Sequence, residues 1–280
     1  MKLKILAVFA LLWAAPTAQA KSLVMALIPA ENNEQMVGQF EPMRQHLENK
    51  LGRSVKVYTA TDYTGVIEAM RKKRVDIAWF GPLAYLLAER EAGAEAFAVG
   101  VRADTGKSTY RTVFVVPSDS PAQTLADLKG KNVAFVDPAS ASGGLVPTFM
   151  IKQATGLMPK AFFGHLTYAG SHDAAEMAVK NKTVDAAADN DITYRNMLNK
   201  GLISQGSNRI LLESEPLPGA PMAFRAGLDA ELKATIRDAI LSAHEEIQVT
   251  GYGDLLRYEA ASPDDYQGLR TMFDELGNGQ

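Results

Sequence analysis

The sequence predicts an α/β protein of two lobes joined by a two-crossover hinge. Three observations carry the prediction. Short runs rich in β-branched and aromatic residues alternate with helix-period stretches along the chain. The alternation stops and restarts at a turn cluster, Pro117-Ser118-Asp119-Ser120-Pro121. A second break, containing Pro216, Pro218, Gly219 and Pro221, closes off the block between them. The expected division is therefore a discontinuous lobe 1 (21–116 plus 222–280) and an inserted lobe 2 (117–221). Repeated βα units point to mostly parallel sheets, and a double connection lets the lobes hinge around a ligand.

The elements follow in order. Residues 23–28 read as a buried strand, and 34–51 as a helix whose Met36, Phe40, Met43, Leu47 and Leu51 share one face. A strand at 55–58 precedes Asp62, which suits the cap of a helix carrying Val66, Ile67 and Met70. A strand at 75–79 leads through Gly81-Pro82 into a helix ending near Leu87, and 112–116 is the next strand. In lobe 2, Thr124 opens a short helix that Gly130 ends, and strand 133–136 runs into a Ser/Gly-rich turn and a helix. Strands at 166–168, 184–188 and 209–212 alternate with helices at 171–179 and 192–198. Strand 222–225 returns to lobe 1, and helices at 229–250 and 263–276 finish the chain.

Residues 1–20 carry Lys2 and Lys4, an apolar core from Ile5 to Ala15 and a small-residue site at Ala18-Gln19-Ala20. This is expected to be a cleavable signal peptide, its apolar run being too short for a span. With no cysteine there is no lipoprotein anchor and no disulfide scaffold. The formal charge of −3 becomes −5 without Lys2 and Lys4. An acidic surface argues against nucleic acid and anionic membrane as partners, and a bound anion must be held by local donors. No nucleophile elbow, zinc-protease motif or P-loop is present, so the chain does not read as an enzyme. No cofactor or metal is implied, since Asp185, Asp189 and Asp191 lack further ligands at metal spacing.

The turn Asp137-Pro138-Ala139-Ser140-Ala141-Ser142-Gly143-Gly144-Leu145-Val146-Pro147 is the most informative segment. It joins a buried strand to a helix start, where first-turn N–H groups lack partners and the dipole is positive. Ser140 and Ser142 add hydroxyls, so an oxyanion site is expected; a capped helix alone needs only one serine. Tyr63, and the pair Trp79 and Phe80, fall at strand C-terminal ends, where open α/β sheets bind ligands; Trp79 and Phe80 read as packing. His172 begins a helix at the same sheet edge and is expected to donate to an oxyanion. Asp189 and Asp191 read as cleft or cap residues.

Four motifs, in register, resemble the phosphonate- and phosphite-binding proteins of bacterial ABC importers (the PhnD/PtxB family). They are Thr61-Asp62-Tyr63-Thr64-Gly65-Val66-Ile67-Glu68-Ala69-Met70, Val75-Asp76-Ile77-Ala78-Trp79-Phe80-Gly81-Pro82, the Asp137–Pro147 turn, and Gly170-Ser171-His172-Asp173-Ala174. The resemblance covers nearly the whole chain after the leader. It implies a type II periplasmic-binding-protein fold closing on a phosphorus oxyanion held by Tyr63, Tyr110, the Ser140-Ala141-Ser142 helix start and His172. It also implies an ABC permease as partner, a periplasmic location and a monomer. Ala141 departs from the family's usual threonine. Carboxylates that grip an ammonium in aminoethylphosphonate binders correspond to Ile192 and Ala220, both uncharged, although a one-residue shift would bring in Asp191. The expected ligand is thus phosphite or a short alkylphosphonate without an amine. The alternative is an oxyanion-sensing subunit for a membrane histidine kinase.

Overall fold

The structure, a computed structural model, describes residues 21–277. In chain order the elements begin β1 (Leu23–Leu27), α1 (Asn33–Leu51), β2 (Val55–Thr59), α2 (Tyr63–Arg71), β3 (Ile77–Trp79), α3 (Pro82–Ala92), β4 (Glu95–Arg102) and β5 (Thr109–Tyr110). Next come β6 (Thr112–Pro117), β7 (Asn132–Phe135), α4 (Val146–Thr155), α5 (Pro159–Phe162), β8 (His165–Tyr168), α6 (His172–Lys180), β9 (Ala186–Asn190), α7 (Asp191–Asn199) and β10 (Asn208–Glu213). The chain returns through β11 (Leu217–Pro218), β12 (Pro221–Phe224), α8 (Ala230–Leu241), β13 (Thr250–Gly251), β14 (Gly253–Ala260) and α9 (Gln267–Gly277).

Lobe 1 holds a seven-stranded sheet in the order β13-β14-β4-β12-β3-β1-β2, and lobe 2 a five-stranded sheet in the order β10-β6-β9-β7-β8. Strands are parallel only where a helix carries the chain back: β1 with β2 and β3, and β7 with β8 and β9. The remaining pairs in both sheets are antiparallel, so the expectation of mostly parallel sheets is corrected to mixed ones. The physical reason is the double crossing. A chain that leaves lobe 1 and comes back re-enters its sheet running the other way, as β12 does between β3 and β4.

The hinge is a two-stranded ribbon in which Tyr110 pairs with Leu217 and Thr109 with Pro218. The first crossover therefore lies before β6, and not at Pro117–Pro121 as the sequence suggested. Both faces of β6 are covered in lobe 2. Phe114 and Val116 point into a lobe 2 core with Phe135, Ile151 and Phe162, and Val113 and Val115 into the main core on the other side. The Pro/Ser cluster is simply the turn out of that strand.

Both eight-residue strands escaped the sequence reading. Strand β4 carries small residues, Ala96, Ala98 and Gly100, where side chains of β12 and β14 approach; a Cβ on Gly100 would lie 2.8 Å from Leu255 Cδ1. Strand β14 lies near the sheet edge with most side chains half or fully exposed, so its apolar alternation is weak. The helix expected over 229–250 ends at Leu241, and the rest of that stretch turns into β13. The expected signal peptide lies outside the described residues. Among the described residues no helix is long and apolar enough to cross a membrane.

Candidate functional site

The lobes meet at the C-terminal ends of their parallel strands. The His172 N–H donates across the gap to the Ala30 carbonyl at 2.8 Å, and the Asn32 N–H donates to Asp173 Oδ2 at 3.2 Å. On the lobe 2 side, β7 ends at the Ser/Gly turn. Ser140 Oγ accepts from the Gly143 N–H at 3.0 Å, which is the capping role one serine can fill. The first turn, Ala141–Leu145, is wound as a π turn, a wider winding than α4 adopts after it. Gly143 and Gly144 serve this packing: a Cβ on Gly143 would collide with Val136, and one on Gly144 would lie 2.5 Å from the Asp137 carbonyl oxygen. The glycines thus bring the helix start onto the strand end. That leaves the Ala141 and Ser142 N–H groups and the Ser142 hydroxyl outside this capping and packing role.

Lobe 1 supplies two phenols opposite this turn. Asp62 caps α2 through the Gly65 N–H at 2.7 Å and so sets Tyr63 at the helix start. Tyr63 is buried and its hydroxyl has no hydrogen-bond partner among the described residues. Burial pushes this phenol's pKa far up, with Asp137, Tyr110 and Asp189 adding to the shift and Ser140 opposing it. Tyr110, on the hinge ribbon, is likewise pushed up by burial, with Ser142 opposing. Each phenol therefore faces one serine of the other lobe. Trp79 packs between Phe40 and Tyr252, at ring distances of 5.7 and 5.2 Å, in the packing role expected of it. Phe80 is fully buried.

His172 is also buried, and its Nδ1 contacts Asp189 Oδ1. Burial lowers its pKa to about 4 against the pull of Glu31, Asp173, Glu176 and Asp137, so the ring is neutral near pH 7. Asn190 donates to the Tyr252 hydroxyl across the lobes at 2.8 Å, and Thr193 Oγ1 contacts the same hydroxyl. Glu31, Glu176 and Tyr252 were not singled out in the sequence. Glu176 had a usable signal, because it shares the buried face of α6 with His172, Ala175 and Val179 at helical spacing.

Asp191 is placed at the cleft edge, but its carboxylate is taken. It accepts from Arg102 Nη1 at 2.7 Å and from the Arg111 N–H at 2.8 Å. Arg102 is itself saturated by Asp104, with bonds of 3.0 and 2.8 Å. In this structure the Asp191 carboxylate ties lobe 2 to lobe 1. Ile192 and Ala220, the two uncharged positions, line one cavity of about 40 Å³ together with Trp79, Tyr110, Tyr252 and Leu255. The three aspartates once weighed for a metal part ways as well. Asp185 accepts from the Asn132 N–H, and no metal-holding cluster exists among the described residues.

Residues 25–266 match the family described as the periplasmic substrate-binding protein of phosphonate ABC transporters. The chain belongs to that family. Its members are substrate-binding components of importers and not enzymes, and they work with ABC permeases outside the cytoplasm. Nothing in the family description favours a sensor. The chain is similar to the phosphonates-binding periplasmic protein of Escherichia coli K12, with 33% identity over 80% of this chain and 67% of the relative. It is also similar to the phosphate-import protein PhnD of Mycolicibacterium smegmatis, with 29% identity over 92% and 87%. PhnD1 of Prochlorococcus marinus, solved in complex with methylphosphonate, superposes with a TM-score of 0.81 at 21% identity, covering 92% of this chain and 98% of that one. The family's architecture is the type II periplasmic-binding-protein fold, and the two lobes described above have it.

Proposed function

We propose that this family member closes on a phosphorus oxyanion lacking an amine, phosphite or a short alkylphosphonate, and delivers it to an inner-membrane ABC permease. Its contacts are the Tyr63 and Tyr110 hydroxyls from lobe 1, and the Ser140–Ser142 helix start with the Ala141 N–H and His172 from lobe 2. The single observation that carries the reading is the buried Tyr63 hydroxyl. It has no hydrogen-bond partner among the described residues and faces an N-terminal helix turn whose first N–H groups lie outside the intrahelical ladder. A desolvated phenol without a partner is costly, and an anion at the helix start satisfies it with a charge-assisted bond. The uncharged cavity walls, Ile192 and Ala220, and the engagement of Asp191 by Arg102 leave no carboxylate for a ligand ammonium there. The chain is expected to act as a periplasmic monomer after loss of residues 1–20, without nucleic acid, its lobes hinging on the β5–β11 ribbon.

The test is a calorimetric panel of phosphite, methylphosphonate, aminoethylphosphonate, phosphate and sulfate. Tight binding of phosphite or methylphosphonate with weaker binding of aminoethylphosphonate is expected. Preference for the amine-bearing ligand sinks the assignment of the cavity, and failure to bind any phosphorus oxyanion sinks the function.

A further inference from the structure

A file of buried polar groups stands behind His172 on the side away from the cleft. Asn208 Nδ2 donates to Glu176 Oε2 at 2.7 Å. Glu176 Oε1 and Asp189 Oδ2 are buried, and neither has a conventional donor among the described residues. The two carboxyls instead act on each other. In a dry interior two facing carboxyl oxygens cannot both be ionised, so one proton lies between them. Its position follows from the neighbours. Burial raises both carboxyls well above their ordinary values; at Asp189 the Glu176 side chain and the Asn190 N–H oppose that rise, whereas at Glu176 the charge of Asp189 and the hydrogen bond to it add to it. Glu176 is then the donor and Asp189 the carboxylate.

That assignment decides the histidine. Asp189 Oδ1 accepts, so Nδ1 of the neutral ring carries its one proton. Asn190 Nδ2 also lies 2.9 Å from Nδ1, its orientation fixed by the Thr193 N–H on Oδ1 at 2.8 Å. Its own protons have acceptors in the Tyr252 hydroxyl at 2.8 Å and Asp189 Oδ1 at 3.5 Å. Nε2 has no protein partner among the described residues and carries a bare lone pair. The surroundings are acidic: Glu31, Asp137 and Asp173 act on the ring, and Arg102 is consumed by Asp104 and Asp191. A second negative charge on a ligand is opposed by these carboxylates.

We propose that Glu176 and Asp189 are specificity-determining positioning residues, which lock His172 with Nδ1 protonated and Nε2 as an acceptor. The cleft then selects an oxyanion that still carries a hydroxyl proton over an equally charged one that carries none. This rests on the reading of the cleft as an oxyanion site, and it adds the protonation state of the ligand.

The experiment compares methylphosphonate with methanesulfonate, a monoanion of the same shape that has no proton to give. At a pH where methylphosphonate is singly charged, the wild-type protein is expected to prefer it by about tenfold or more, the effect of one buried mismatched hydrogen bond. In Asp189→Asn, the amide oxygen accepts from Glu176 and the NH₂ donates to Nδ1, so the ring proton moves to Nε2 and the preference collapses or reverses. Glu176→Gln keeps both the donor to Asp189 and the acceptor for Asn208, and so keeps the preference. Nitrogen NMR of the ring reads the tautomer directly: Nδ1–H in the wild type and in Glu176→Gln, Nε2–H in Asp189→Asn. An undiminished preference in Asp189→Asn, or a wild-type ring protonated at Nε2, overturns the proposal. If the wild type binds no phosphorus oxyanion, the functional reading has failed instead, and the tautomer measured without ligand still decides the role of the two carboxyls.

Discussion

Replacing Tyr63 by Phe separates a ligand contact from a structural hydroxyl, because the two roles move different observables in different directions. The substitution keeps the ring, which is buried among the lobe 1 core residues, and deletes one oxygen. That oxygen makes no hydrogen bond to the protein among the described residues, so its removal breaks none. Stability should therefore hold or rise, with a ceiling of about 1–3 kcal/mol, the penalty of an unsatisfied buried hydroxyl. For a domain of 150–250 residues each kcal/mol shifts the melting temperature by about 2–4 °C. Affinity should move the other way. A hydrogen bond to a charged group is worth about 1.5–3 kcal/mol, which is roughly a ten- to 150-fold loss in binding.

The companion substitution is Tyr252→Phe. That hydroxyl accepts from Asn190 at 2.8 Å and contacts Thr193 Oγ1, so removing it strands buried polar groups. A loss of about 2–3 kcal/mol, or roughly 4–12 °C, is expected there. Melting curves without ligand and calorimetric titrations with methylphosphonate or phosphite give both numbers for each variant. Tyr63→Phe melting several degrees lower with unchanged affinity would falsify the reasoning, for it would show that the Tyr63 hydroxyl holds the fold and not the anion.

Two further outcomes follow. Asp191→Asn keeps an acceptor for the Arg111 N–H but leaves Arg102 with only Asp104 as charged partner; about 1–3 kcal/mol of stability should go, while selectivity against an amine-bearing ligand stays as it was, and a change in that selectivity would return Asp191 to the ligand site. Glu176→Gln should melt progressively higher than the wild type as pH rises above 4.5, because the native carboxyl holds its proton where the unfolded one loses it, a stability cost that grows with pH and that Gln does not carry; His172, lowered from 6.5 to about 4, has the opposite sign, losing stability as pH falls through that window, and is common to both proteins. A Glu176→Gln variant that melts lower at every pH would mean that Glu176 is the ion.

What could be read from the sequence was what local chemistry determines. Asp62 before a helix, and Ser140 before Gly143-Gly144, announce caps that need no knowledge of the other lobe, and both are found capping. The strands with two buried faces, such as β6 and β7, were found because their apolar runs are continuous. Strands β4 and β14 were not, because one is thinned to small residues by close neighbours and the other lies near an edge and is largely exposed. The glycine pair in the Ser/Gly-rich turn gave no local sign of its packing role, which only its collision geometry shows. Tyr110 carried no local signal at all: only its pairing with Leu217 in the hinge ribbon sets it opposite Ser142. Asp191 looked like a spare carboxylate because its partner, Arg102, is distant in sequence.

The pattern of charge explains how an acidic protein can hold an anion at all. Arg102, the cation that lines the interlobe cavity, is neutralised by Asp104 and Asp191, and the remaining charged groups acting on His172 are carboxylates. Attraction must then come from dipoles: first-turn N–H groups and serine and tyrosine hydroxyls. Such donors are numerous and directional but carry no net charge, so they reward the correct shape and proton count more than the magnitude of charge. A cleft built on lysines would favour whichever anion carries the most charge, sulfate and phosphate dianions included. A cleft of neutral donors set among carboxylates penalises the second charge, and it places discrimination in the few contacts, such as His172 Nε2, where donor and acceptor cannot be exchanged.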